Sequence, residues 1–500
     1  MTVTIDDYIE QEKKKGEAGN KLAARCVETL KFSPYIDIIS QGKNGVAVNR
    51  FKEDKIVVVH SAGGDPKVRN ISDYSTSLVN RLVEQARAIG ATPVAMANVI
   101  DASDTKKLDV DTIADALIPR AKFYNIAIVN GETASLGSRV NCMFNISGTM
   151  ISILDKNSDF AKNFPRTFIH NGVRYAIFDH KCKPVYMNSD GVGTKTEFYE
   201  RIKKYALAFR DFMAMTLDDA VKLGAIAQVI SGVLERKGDI PFIEIAAEIS
   251  KYGKLAANRF IQLPEPLCIL QEEDVGNRIQ SYLSGLSSYN LSGSVVSLID
   301  EERLKNPPKP SVGEYLIAIR GKPNPRSNGI TGKREAMIKM LGEHWHNKSK
   351  GEYFMEFLAE PSTLFYPLFH ELLQRRVATS FYHMSGDAYD GKLASPLAKH
   401  DLFVEIKDLF KPDEREKELA GNTPNENAYK KWPMGNEGFV TTRYPEEAFR
   451  IIEKHCLQAR VVGQLQFKIV DDKGNEKTGI ELVGIKNSEG KNVYFSGKAA

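Results

Sequence analysis

The chain has 500 residues, 68 of them basic and 64 acidic, for a net charge of +4. That near balance offers no basic stripe for nucleic acid, and no run approaches the ~18 apolar residues of a membrane span. Five cysteines, at 26, 142, 182, 268 and 456, form no C-x-x-C pair, so neither a disulfide framework nor a zinc site is expected, and a reducing cytoplasm fits.

The length predicts about three domains. The N-terminus has no apolar segment of the signal-peptide kind. Residues 5–30 carry amphipathic helical spacing, with a lysine run at 13–15 on the solvated face. "KIVVVHSAGGDPK" (55–67) reads as a buried strand entering a Gly-rich turn. A helix pattern over 76–90 ends at Gly90, and "TPVAMANVID" (92–101) is a strand. Asp111 is placed as the N-cap of the next helix. "NIAIVNGETA" (125–134) is a strand running into a turn with Glu132, and "NISGTMISILD" (145–155) is another strand.

That last strand recurs. "NLSGSVVSLID" (290–300) matches it at five of eleven positions. "VVVHSAGGDPK" (57–67) aligns with "VYMNSDGVGTK" (185–195), and 87–100 aligns with 221–234. The offsets grow from 128 to 134 to 145, as expected when loops lengthen between anchored elements. Residues 1–155 and 172–303 are therefore read as tandem copies of one α/β unit.

The copies differ where chemistry would lie. In "NSDGVGTK", two glycines flank Val192, so backbone N–H groups can approach a ligand closely. Asp190 is a hard oxygen donor suited to Mg²⁺, and Lys195 is a point charge for phosphate. Copy one has Ala62 in place of Asp190, and Glu84 and Gln85 in place of Asp218 and Asp219. Conversely, "NGETA" belongs to copy one alone, and its expected place in copy two is the unrelated stretch around "LPEPLCILQEEDVGN". Together the copies carry one set of charged groups.

"LKNPPKPSVGEY" reads as a linker before a third domain, 312–500. Its first strand leads to Ser327, Asn328 and Gly329, a turn ahead of a helix whose N-terminus suits an anion. Residues 360–377 are expected to be helical, and 378–394 to be a strand and a Gly/Asp turn with His383, Asp387 and Asp390. The charged run 405–427 is expected to be a solvated insertion. The tail from 466 is expected to be a hairpin.

In order along the chain, "EAGNKLAAR", "KKLDVDT", "NGETA", "SDGVGTK", "DFMAMTLDD", "SNG", "HMSG", "MGNEG" and "ARVVGQL" resemble the aminoimidazole ribonucleotide synthetase (phosphoribosylformylglycinamidine cyclo-ligase) family. The resemblance implies an α/β (α+β) fold: two N-terminal units forming an internal pseudo-dimer barrel, then a C-terminal α/β domain. It implies ATP and Mg²⁺ as cofactors and ring closure of formylglycinamidine ribonucleotide as the reaction. Asp190 and Asp219 would hold Mg²⁺, with Gly191, Gly193, Thr194 and Lys195 around the phosphates. Glu132 would orient a reacting group, Ser327 and Asn328 would hold substrate phosphate, and His383 would line the cleft. Asp387 is a further metal candidate, as in superfamily relatives that phosphorylate their substrates. Arg326 stands where the family has His, and Pro433 where it has Asn. The alternatives are another ATP-dependent enzyme of the superfamily, a small-molecule kinase or a formylglycinamidine synthetase-like protein, or a non-catalytic nucleotide-binding partner subunit. The expected partner is a small-molecule substrate, with no nucleic acid or membrane, and the chain is expected to be a monomer with an internal pseudo-dimer, or a homodimer.

Overall fold

A computed structural model describes residues 18–41, 44–238, 240–281, 288–327, 329–421, 423–470 and 474–497. The chain forms two compact units, Met1–Pro307 and Pro308–Ala500, which part within the Pro-rich linker.

The first unit opens with α1 (Ala18–Cys26) and the strands β1 (Ile36–Gln41) and β2 (Asn44–Asn49). Copy one then runs β3 (Lys55–Gly63), α2 (Ile71–Ala88), β4 (Thr92–Ala102), α3 (Val110–Tyr124), β5 (Ala127–Ser135) and β6 (Phe144–Asp155). A hairpin follows, β7 (Thr167–His170) and β8 (Val173–Phe178). Copy two runs β9 (Val185–Gly191), α4 (Thr196–Arg201), α5 (Leu207–Lys222), β10 (Ile226–Lys237), α6 (Phe242–Ala256), β11 (Leu267–Asp274) and β12 (Ser288–Leu298).

Both stretches follow the order strand, helix, strand, helix, strand, strand, with the first helix of the second stretch in two parts. Local details differ from the prediction. Asp109, not Asp111, caps α3 by accepting from Thr112 N, while Asp111 pairs with Lys21 and Arg25 of α1, each at 2.7 Å. The helix expected after "NSDGVGTK" is broken between α4 and α5, where Lys203 takes a φ of 54°. The expected first helix begins at Ala18 among the described residues; its earlier part, with the lysine run, lies outside them.

Two six-stranded sheets result, ordered β5-β4-β6-β3-β8-β7 and β1-β2-β9-β12-β10-β11. The hairpins are exchanged. The one that precedes copy one, β1–β2, joins copy two through Asn49 opposite Val185. The one that precedes copy two, β7–β8, joins copy one through Val57 opposite Phe178. Copy two is therefore finished by the hairpin that precedes copy one in the chain, and copy one by the hairpin that follows it.

The expected barrel is not closed by backbone hydrogen bonds among the described residues. The two sheets instead pack face to face. Val57, Val59, Ala97 and Ile151 of one meet Val185, Met187, Val229 and Val296 of the other in a shared core. The outer face of the first sheet is covered by α2 and α3 through Leu78, Leu82, Ile113 and Leu117. Strands covered on both faces favour apolar runs, as in Ile56–Val59 of β3 and Val94–Ala97 of β4, while β6 carries small polar residues such as Ser147 and Thr149 into the interior. Hydroxyl pairs knit the interior: Ser61 with Ser231 at 2.6 Å, and Ser147 with Ser292 at 2.7 Å.

The second unit begins with β13 (Tyr315–Arg320), α7 (Ile330–Leu341), α8 (Ser349–Leu358), α9 (Tyr366–Gln374), β14 (Ser380–His383) and β15 (Leu402–Ile406). It continues with α10 (Glu414–Ala420), α11 (Asn425–Lys431), β16 (Gly438–Thr442), α12 (Pro445–Lys454) and β17 (Gln458–Gln464). The tail holds β18 (Gln466–Phe467), β19 (Ile469–Val470), β20 (Glu476–Lys477), β21 (Gly479–Lys486) and β22 (Asn492–Phe495). β19 and β20 form the expected hairpin. The sheets are β14-β16-β13-β17 and β18-β15-β21-β22.

The run 405–427 is not a solvated insertion. It supplies β15 and α10 and buries Ile406, Phe410, Leu419 and Ala420. Glu416 is buried too and pairs with buried Lys333 at 3.2 Å. The Lys333 ammonium also lies 5.0 Å from the Trp432 ring and 5.2 Å from the Phe357 ring. A charged residue is tolerated inside when it has a close counter-charge, and charge counts along the chain do not reveal such pairing.

Candidate functional site

Each copy's opening strand is anchored to its own first helix in the same way. Asn188 Nδ2 donates to the Thr216 carbonyl at 2.9 Å, and His60 Nε2 bonds the Leu82 carbonyl at 3.0 Å. These contacts put His60 opposite Asn188 and Leu82 opposite Thr216 in the internal symmetry. The strand ends then lie against the edge strand of the other copy, β5 against β9 and β11 against β3.

At the β5–β9 edge, the Ser189 N–H donates to Asn130 Oδ1 at 2.9 Å. Farther along, a Cβ on Gly193 would sit 3.9 Å from Leu136 Cδ2. Glu132 lies between these two points on β5, beside Asp190 and Gly191. Asp190 accepts from the Gly191 N–H at 2.7 Å and is partly exposed. Gly193 takes a φ of 65°, the left-handed turn for which glycine is suited. The contacts across this edge are therefore Asn130 with Ser189 and Leu136 with Gly193, with Glu132 on β5 between them.

Lys195 points elsewhere. It is fully buried and pairs with Asp211 at 3.0 Å, while Tyr199 donates its hydroxyl proton to the same carboxylate. Its charge braces the turn from below instead of facing solvent, as the expected phosphate role requires. Asp219 stands one turn beyond Thr216 on α5 and pairs with Lys222 at 2.6 Å. The buried neighbour Asp218 lies inside the fold.

Beside this edge lies a cavity of about 230 Å³ between α1 and β5. Leu22, Leu30 and Ile128 give it apolar walls; Asn98, Asn130 and Thr133 give it hydrogen-bonding groups. Cys26 also lines it, and burial pushes that thiol up to about 12, so it is neutral.

The mirror edge is filled. Glu273 of β11 accepts from both the Arg81 guanidinium, at 3.0 Å to each oxygen, and the Gly63 N–H at 3.3 Å. Arg81 also donates to the Gly63 carbonyl at 2.6 Å. By the strand register, Glu273 takes the place that Ala134 has at the other edge. Arg81 takes the place of Met215. The stretch around "LPEPLCILQEED" does occupy the place of "NGETA", with Gln271 where Glu132 would be.

Two arginines clasp the copies. Arg139 donates to buried Glu200 and, at 2.6 Å, to the Tyr289 carbonyl. Its counterpart Arg278 donates to the Phe144 carbonyl at 3.3 Å and lies 3.5 Å from the centre of the Tyr74 ring. The sequence held a signal for this pair: "LGSRV" (136–140) and "VGNRI" (275–279) form a further collinear match, at an offset of 139.

In the second unit, Ser327 is half-buried in the turn before α7, and Asn328 lies outside the described residues. The next residue, Gly329, has a φ of 65° and offers its carbonyl to Trp432 Nε1 at 3.3 Å. Buried Arg326 donates to the Thr363 carbonyl at 3.1 Å and lies 4.0 Å from Glu437 Oε2. Glu437 also accepts from Asn324 at 3.2 Å, and its carbonyl takes the Met384 N–H at 2.9 Å. His383, buried on β14, is thereby next to this pair, a grouping the sequence did not reveal. Asp387 is exposed with a φ of 59°, and Asp390 pairs with Lys430 at 3.0 Å.

As donors for Mg²⁺, Asp190, Asp219 and Asp387 are chemically suitable. Among the described residues no three His, Cys, Asp or Glu side chains converge as a ready cage. No helix among the described residues is long and apolar enough to cross a membrane.

Comparison with known proteins gives a consistent picture. The family described as "AIR synthase related protein, N-terminal domain" matches residues 44–154. A phosphoribosylformylglycinamidine cyclo-ligase of Methanococcus maripaludis is 24% identical over 310 residues, 60% of this chain and 83% of the relative. The enzyme of that name from Carboxydothermus hydrogenoformans is 23% identical over 299 residues, 57% of this chain and 81% of the relative. Among solved structures, T. maritima PurL complexed with ADP has a TM-score of 0.35 and 15% identity, covering 60% of this chain and 41% of that one. This chain therefore spans less than half the length of that protein. Thiamine-monophosphate kinase from Stenotrophomonas maltophilia has a TM-score of 0.37 and 11% identity, covering 66% of this chain and 96% of that one.

Proposed function

We propose that this chain, whose residues 44–154 match the family described as AIR synthase related protein, N-terminal domain, catalyses ATP-dependent ring closure of formylglycinamidine ribonucleotide to aminoimidazole ribonucleotide. Relatives named for that ring closure support an enzymatic role in purine biosynthesis. The observation that carries a catalytic reading is the β5–β9 edge, where the Ser189 N–H donates to Asn130 and so brings the strands that hold Glu132 and Asp190 side by side.

In this reading ATP phosphorylates the formamide oxygen, the amidine nitrogen attacks the activated carbon, and phosphate leaves. Such a reaction depends on positioning and charge stabilisation more than on a strong protein nucleophile. Asp190 and Asp219 would hold Mg²⁺, which supplies charge neutralisation on the phosphates when bound. The Gly191–Thr194 turn, whose first N–H is held by the Asp190 carboxylate, lies against the triphosphate in this reading, and the cavity under α1 receives the base. Glu132 orients the group that reacts. Lys195 acts at one remove, holding the turn through Asp211.

The test is ADP release coupled to detection of the imidazole product with formylglycinamidine ribonucleotide as substrate. Turnover with ring closure is expected, with one nucleotide bound per chain by calorimetry. ATP turnover with a different phosphate acceptor alone would replace the ring-closure assignment, and absence of nucleotide binding would remove it.

A further inference from the structure

Asp101 of β4 and Glu235 of β10 occupy equivalent places in the two copies, and both are buried at the contact between the sheets. A single amide joins them: Asn290 Nδ2 donates to Asp101 Oδ2 at 2.6 Å and to Glu235 Oε2 at 3.0 Å. The remaining oxygens, Asp101 Oδ1 and Glu235 Oε1, are buried without a hydrogen-bond partner in the structure, and so is Asn145 Nδ2 of the neighbouring strand. Two carboxylates bridged by one neutral donor in the interior repel each other, and each lacks the hydration that would support its charge.

The charges around them are committed elsewhere. From the loop after β5, Arg139 is held by Glu200. From β11, Glu273 is held by Arg81. From α2, Tyr74 donates to Asn145 Oδ1 at 2.7 Å and is covered by Arg278. Nothing among these facing groups neutralises two negative charges.

We infer that Asp101 and Glu235 share one bound proton across the contact between the copies, so that this contact is a built-in pH-sensitive clasp. The proton converts a repulsive pair into a hydrogen-bonded one, with the protonated carboxyl donating to its partner or to an Asn side-chain oxygen. Burial raises the affinity of both groups for protons, and the like charge of Asp101 adds to the effect at Glu235, which is pushed up to about 8. The unfolded chain releases that proton near the ordinary Glu value of 4.5. Folding therefore takes up a proton between these limits, and the clasp weakens as pH rises through the interval, with no further loss above it.

The experiment compares urea unfolding of the full-length wild type and Glu235→Gln at about pH 5 and about pH 9, together with the infrared carbonyl band of protonated carboxyl groups. The ratio of the variant's folding constant to that of wild type is expected to rise at least about tenfold between the two pH values. A protonated-carboxyl band present in wild type near neutrality is expected to vanish in the variant. A ratio that does not change with pH, or a band unchanged by the substitution, overturns the inference. So does stabilisation of wild type, and not of the variant, by added Mg²⁺ or Ca²⁺, since a cation would then hold the pair. If Glu235→Gln fails to fold, Asp101→Asn is put through the same comparison with the same criteria. None of these readouts depends on the catalytic assignment.

Discussion

The two edges where one copy's strand meets the other copy's motif have the same backbone plan and opposite contents. At β5–β9 the side chains are Asn130, Glu132 and Ala134 against a Gly-rich turn carrying Asp190. At β11–β3 the corresponding ground is taken by the Arg81–Glu273 pair, which bonds both the N–H and the carbonyl of Gly63. An internal duplication makes two sites geometrically available. Here one of them is closed by an ion pair formed between residues 192 positions apart. At one edge an Arg–Glu ion pair spans the Gly63 backbone, and at the other the Asp190 carboxylate takes the Gly191 N–H within its own turn.

The strongest way to break this comparison is at Asp190. Asp190→Asn is expected to lower ATP turnover at least about a hundredfold, with the thermal midpoint nearly unchanged. Full activity in that variant would mean the open edge is not the working one. Lys195 and Lys67 are counterparts with different surroundings. Lys195→Met leaves buried Asp211 without its cation and is expected to cost about 3–5 kcal/mol in urea unfolding. Equal effects at the two positions would erase the difference.

His60 and Asn188 offer a subtler test. Burial pushes the His60 imidazole down to about 4, so in the folded protein it stays neutral at pH values where the unfolded chain binds a proton. Stability is therefore present above the ordinary His value of 6.5 and is lost as pH falls toward 4. His60→Asn, which installs the copy-two residue, is expected to remove about 1–3 kcal/mol of that acid sensitivity, read from urea midpoints across the interval. Lys67→Met should sharpen the picture from the other end: the side chain is exposed, so a change within about 0.5 kcal/mol is expected.

Much of the site was legible because its signals are local. The Gly-x-Gly turn of "DGVGTK" demands a left-handed residue, and Gly193 takes that conformation. The strand patterns around Ser147 and Ser292 repeat because both strands meet the same interior. Lys195 was not legible in this way. A lysine after a Gly-rich turn reads as a phosphate ligand, and its inward rotation depends on Asp211, a full helix away from the turn. Likewise Glu416 looks solvated among its charged neighbours until Lys333 is brought beneath it.

The sequence by itself marked the strands β3, β4, β6 and β9, the helix α2, and the differing charged groups at 62/190 and 84–85/218–219. These rest on periodicity and short-range turn chemistry, which the local chain encodes. The tertiary structure alone decided three things: the exchange of hairpins between sheets, the Arg81–Glu273 plug, and the meeting of Asp101 with Glu235. Each needs two segments far apart in the chain to be brought together, and whether a charge is neutralised or left buried is settled only by the partner it meets there.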